Sequence, residues 1–166
     1  MSQTDREINF KTWEESTFSP AVPLSKERCE DAWVNLCVGW DVDGTYWHPL
    51  RKVDPGHDDI VAFYTPFFDE YVGDLRIQEI LDSRGITHVI ELREGGSGET
   101  VMTSDLEIGY TGLEGYWTSE KYDWVIYSSH EDSTTIAGKW LVDGVKAVWP
   151  DWENNLYRSP FREDYA

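Results

Sequence analysis

Apolar residues recur at helical spacing just after Pro20 and Pro23: Cys29, Ala32, Trp33, Leu36 and Cys37 follow an i, i+3, i+4, i+7, i+8 rule. Lys26, Glu27, Glu30, Asp31 and Asn35 face outward between them, Ser25 stands where an N-cap hydroxyl belongs, and Gly39 is a stop. A second helical stretch opens at Thr65 and Pro66, a cap followed by the residue best tolerated at the first helical position. It runs toward Arg84, bends or splits at Gly73, and carries Leu75, Ile77, Ile80 and Leu81 in its latter half. Gly85 ends it.

From Thr87 the period shortens to two. HVIELRE and ETVMTS flank the turn-rich GGSG as a hairpin, while LEIGY, GYWTS and YDWVIYSS continue as short strands. STTIAG follows a turn at His130, Glu131 and Asp132, and Leu141, Val145 and Val148 then space a short helix stopped by Pro150. Two N-terminal helical segments, a run of strands and one short C-terminal helix predict an α+β domain. Its antiparallel sheet should have about five to six strands, because nothing alternates as βαβ units do. Residues 1–23 read as a loosely ordered arm and 24–166 as a single domain.

Charge changes what such a domain is expected to meet. Asp and Glu number 32 against 14 Lys and Arg, a net charge of −18, beside nine Trp, nine Tyr and six Phe. A body this negative repels nucleic acid and anionic membrane, and it speeds encounter with a basic protein or a cationic ligand. No apolar run approaches the ~18 residues of a membrane span, and the first residues lack a signal-peptide pattern, so a cytoplasmic location is expected. Cys29 and Cys37 lie about 12 Å apart along a helix, too far for a disulfide, and are expected as two buried thiols.

Candidate chemistry is sparse. No His or Cys pair has the short spacing of a zinc site, so neither a metal nor a cofactor is expected. Counting Asp41 as the first ligand of a calcium loop places Lys52 where the bidentate Glu is required. Gly95-Gly96-Ser97-Gly98 precedes a strand and lacks a following Lys-Ser or Lys-Thr, which makes it a hairpin loop and not a phosphate cradle. Glu91 and Arg93 share one face of their strand, as a surface ion pair or a polar recognition patch.

The sharpest motif is Asp41-Val42-Asp43-Gly44-Thr45, which read from its residues alone is an Asp-Gly turn following a helix. Over those five residues it also resembles the DxDGT nucleophile motif of the haloacid dehalogenase-like phosphatases. The resemblance implies a Mg²⁺-dependent phosphatase with Asp41 as nucleophile, Asp43 as acid and base, Ser128 as the second-motif hydroxyl and Lys139 or Lys146 as the phosphate-binding lysine.

The reading preferred from composition is a non-enzymatic binder whose carboxylates ring exposed aromatic anchors. Immunity proteins that neutralise basic nuclease toxins work on that principle, an analogy of composition only. Asp54, Asp58 and Asp59, with the turn His130, Glu131 and Asp132, are the candidate binding residues. Trp33 and Trp124 match core periodicities, whereas Trp40, Trp47, Tyr116, Trp117, Trp149 and Trp152 fall near turns and termini.

Overall fold

A computed structural model describes residues 21–42 and 59–157. The strands are β1 (Val22–Pro23), β2 (Ile60–Tyr64), β3 (His88–Arg93), β4 (Gly98–Met102), β5 (Gly115–Thr118), β6 (Val125–Ser128) and β7 (Ser133–Ala137). The helices are α1 (Lys26–Trp40), α2 (Thr65–Tyr71), α3 (Gly73–Ser83) and α4 (Lys139–Val148). The strands form one sheet in the order β1-β4-β3-β5-β6-β7-β2, and every neighbouring pair is antiparallel. The α+β class follows the pattern of the chain, but the sheet has seven strands and not five or six. The two additional strands, β1 and β2, are its edges.

Each escaped the sequence pattern for its own reason. β1 has only two residues, one of them a proline, and pairs Val22 with Thr100 and Pro23 with Glu99. An edge strand tolerates proline because the missing donor would face away from the sheet. The ordered body therefore includes Val22 and Pro23, inside the segment expected as an arm. β2 reads Ile-Val-Ala-Phe-Tyr with no alternation, because both of its faces are covered. Its outer edge is closed as well, by the Tyr157 N–H donating to the Ala62 carbonyl at 2.8 Å. A short apolar run of this kind is indistinguishable by period from the helix that follows it.

Strand alternation sorts the core into two layers. Val125 and Tyr127 of β6, with Tyr116 of β5, face α1 and pack with Cys29, Ala32 and Leu36. Ile126 and Trp117 face the other way, joining Phe68, Ile77, Leu81, Leu141 and Val145 of α2 to α4. Trp117 and Trp124 are wholly enclosed, so these rings serve packing and not recognition.

Single residues set the ends and faces of the helices. Ser25 caps α1 by accepting the Arg28 N–H at 3.2 Å. Of the two thiols expected inside, Cys29 is buried and Cys37 is exposed. Cys37 sits about 100° around the helix from Leu36, beyond the edge of the buried stripe. The long second helix is split by Gly73, whose φ of 57° is left-handed and suits glycine, so α2 and α3 meet at an angle the chain needs. Leu106 to Tyr110, expected as a strand, forms none: side chains take up its backbone groups, Asp74 Oδ1 accepting the Ile108 N–H at 2.9 Å and Arg93 Nη1 donating to the Gly109 carbonyl at 2.9 Å.

Candidate functional site

At one end of the sheet three segments converge: the turn between β6 and β7, the start of α2, and the loop 106–113. The turn is held internally, with the Ser129 and Ser133 hydroxyls 2.8 Å apart and the Glu131 N–H donating to Ser129 Oγ at 3.1 Å. Asp132 has a left-handed φ of 55°, and its carbonyl accepts the Thr65 N–H at 2.8 Å. That bond ties the acidic turn to the first residue of α2.

Glu114 anchors the same turn from beneath. Its side chain is 2% exposed, accepts the Tyr127 hydroxyl at 2.6 Å through one oxygen, and meets His130 Nδ1 at 2.5 Å through the other. The hydrogen bond to Glu114 raises the His130 pKa above its ordinary value of 6.5, against a smaller opposing effect of burial. The Tyr110 ring centre lies 6.4 Å from that of His130. Through Ile108 and Asp74 the Tyr110 loop is fastened in turn to the first turn of α3.

The outer surface of this end combines bare apolar groups with carboxylates. Phe67 and Tyr71, one helical turn apart on α2, are 44% and 50% exposed, while Tyr110 and Leu113 are 49% and 45% exposed. Asp69, Glu70, Glu107, Glu131 and Asp132 lie on the same segments, and Asp74 stands in the first turn of α3. Burial raises the Asp69 pKa and the Asp74 charge raises it further; burial and Glu107 likewise raise that of Asp74, against the Ile108 N–H. Among the described residues Arg93 pairs with Glu91 at 2.6 Å and Arg76 with Glu79 at 2.7 Å. Glu91 and Arg93 are thus an ion pair, roofed by Trp117, whose indole N–H donates to Glu91 at 2.9 Å and whose ring lies 4.9 Å from the guanidinium.

The sequence-predicted residues divide. His130, Glu131 and Asp132 belong to this surface. Asp59 does not: its carbonyl accepts the Gly138 N–H at 2.9 Å, at the far end of β2 from Thr65. Asp43, Asp54 and Asp58 lie outside the described residues. Asp41 is the exposed, left-handed C-cap of α1, whereas Ser128 is buried in β6 on the face turned away from α1. Neither Lys139 nor Lys146 brings them together; Lys139 pairs with Asp143 at 3.0 Å, and Lys146 lies over the Trp152 ring at 4.2 Å. Among the described residues no three His, Cys, Asp or Glu are grouped to hold a metal ion, and no helix is long and apolar enough to cross a membrane.

Glu114, the centre of the arrangement, had no signal in the sequence, since a carboxylate between Leu113 and Gly115 reads as an ordinary loop residue. Phe67 and Tyr71 had one, because a pair at i, i+4 outside the apolar stripe of a helix is an exposed face. No protein-family model matches this chain, and no curated protein or solved structure matches it either.

Proposed function

We propose that this protein is a non-enzymatic binder that holds a basic partner against the end of the sheet where α2, the turn 129–132 and the loop 106–113 meet. Phe67, Tyr71 and Tyr110 are the apolar anchors, and Asp69, Glu70, Glu131 and Asp132 are the rim that meets the partner's lysines and arginines. Exposed aromatic groups ringed by charge are the composition of binding hot spots. An immunity or inhibitor protein for a basic enzyme is the functional class this fits, in keeping with the net charge of −18.

The observation that carries the reading is the exposure of Phe67, Tyr71 and Tyr110, at 44%, 50% and 49%, on segments that also carry Asp69, Glu70, Glu131 and Asp132. Burial raises the Asp69 pKa and the Asp74 charge adds to it, while burial and Glu107 raise that of Asp74 against the Ile108 N–H. Carboxylates gathered around exposed rings favour a partner that brings positive charge to them.

The test is affinity capture from the source cell at low and high salt, with parent protein and two variants, Phe67→Ser/Tyr71→Ser and Glu131→Gln/Asp132→Asn. The expected result is a basic protein retained by the parent, released by salt and lost from both variants. A partner captured equally by all three proteins, or one indifferent to salt, overturns the proposal.

A further inference from the structure

The opposite end of the sheet carries a cleft of about 400 Å³ lined by Arg84, Thr87, His88, Lys121, Asp123 and Trp140, among others. It is built where α3 ends, β3 begins, β5 turns into β6 and α4 starts. Cations are few among the described residues, and most of those are spent. Lys26, Arg28, Arg76, Arg93 and Lys139 are all in ion pairs with carboxylates. Arg84 and Lys121 form no ion pair among the described residues, yet both line this one cleft.

The acidic residues beside them are turned to other partners. Glu120 also lines the cleft, but it is paired with Arg28, which donates to both carboxylate oxygens at 2.8 Å. Asp123 accepts the Ser119 hydroxyl at 2.8 Å through one oxygen and the Trp140 indole N–H at 3.4 Å through the other. Those bonds, with the Lys121 N–H donating to Ser119 Oγ at 3.1 Å, hold the β5–β6 turn. Arg84 is held in place from a different side, its guanidinium 4.9 Å from the centre of the Trp140 ring. In the cleft lining the Thr87 hydroxyl and His88 Nδ1 are 2.9 Å apart, and with threonine donating the ring proton sits on Nε2 as a further donor.

We propose that this cleft binds the phosphate group of a small phosphorylated molecule. A guanidinium offers a planar fork of donors to two phosphate oxygens, and an ammonium offers a compact point charge to a third. Two unpaired cations match the two charges of a phosphate monoester, and the volume suits a small molecule and not a macromolecule. The overall negative charge of the protein does not forbid this, because exposed charges beyond about 8–10 Å are screened at ordinary salt. The site is independent of the binding face at the other end.

The test titrates the full chain with inorganic phosphate and, separately, with phenyl phosphate at constant ionic strength, following amide and indole shifts by NMR. Expected are saturable shifts confined to residues 84–88, 119–123 and the Trp140 indole. Lys121→Gln, which leaves the Arg84–Trp140 contact in place, should weaken binding about tenfold, and Arg84→Gln/Lys121→Gln should remove it. Lys146→Gln, a cation outside the cleft, should bind as the parent does. Tighter binding of phenyl phosphate identifies an organic monoester as the ligand, and equal binding identifies phosphate itself. Absence of saturable shifts with both probes, or unchanged binding by Lys121→Gln, overturns the proposal.

Discussion

His130 Nδ1 lies 2.5 Å from Glu114 Oε1, an exposed imidazole seated on a carboxylate that is itself almost wholly buried. The contact pins the turn 129–132 to the strand beneath it, and with it the turn's bond to α2. Because the bond raises the His130 pKa in the folded protein, protonated histidine is bound more tightly by the native state than by the unfolded chain. The resulting stability is fully present below the ordinary histidine value of about 6.5 and is lost as pH rises through the elevated folded value. An NMR titration should place the His130 midpoint above the ordinary histidine value of about 6.5. In Glu114→Gln the midpoint should fall, and denaturant stability measured from about pH 6 to pH 9 should lose this part of its slope.

The Glu91–Arg93–Trp117 arrangement leads to a second expectation. Both charged side chains are largely covered, at 12% and 16% exposure, and Trp117 supplies the second donor to Glu91. Removing one partner of a buried pair leaves the other desolvated and uncompensated. Glu91→Ala should therefore cost about 3–5 kcal/mol in a urea unfolding experiment. Trp117→Phe, which keeps the ring over Arg93 but deletes the indole N–H, should cost less, about 1–3 kcal/mol.

Ser128 gives a prediction of opposite sign. Its hydroxyl is buried and makes no hydrogen bond among the described residues. An orphaned buried polar group is a liability, so Ser128→Ala should leave thermal stability unchanged or raise it, by up to about 1 kcal/mol. The phosphatase resemblance makes that hydroxyl a ligand of substrate phosphate, and then Ser128→Ala should abolish Mg²⁺-dependent hydrolysis of a phosphate ester. Measuring both quantities on one variant separates the two roles.

Most of the architecture was legible in the order of periodic segments, because α1 and α4 each bury one face and so display their period, and the hairpin strands flank a turn-rich GGSG. β2 was not, since it shows no alternation and runs into α2 at Thr65 with no turn residue to mark its end. Leu106 to Tyr110 had strand composition but not strand partners: Asp74 and Arg93, distant in sequence, satisfy its backbone instead. The site divided on the same principle. Acidic residues of the turn 129–132 were visible as composition, whereas Glu114 matters only through Tyr127 and His130, contacts made when two strands pair. Arg84 and Trp140 lie 56 positions apart and meet only because α3 and α4 pack on the same face of the sheet.

Phe67 and Tyr71 allow folding and recognition to be read separately. Phe67 is 44% exposed on α2, so Phe67→Ser should change stability by no more than about 0.5 kcal/mol. Tyr71 is equally bare on one side but stacks on Trp149 with ring centres 5.4 Å apart, and Tyr71→Ser should cost about 0.5–1.5 kcal/mol. Their α-helix ends at the left-handed Gly73, where Gly73→Ala meets no neighbouring atom and should destabilise by about 1 kcal/mol through backbone strain alone. If the exposed rings serve a partner, Phe67→Ser should cost binding far more than folding, while Gly73→Ala should cost folding and leave the affinity of the folded fraction nearly intact. Calorimetric titration of the captured partner, beside urea unfolding of each variant, makes the comparison. Equal small losses of affinity in Phe67→Ser and Gly73→Ala would return the α2 face to ordinary surface.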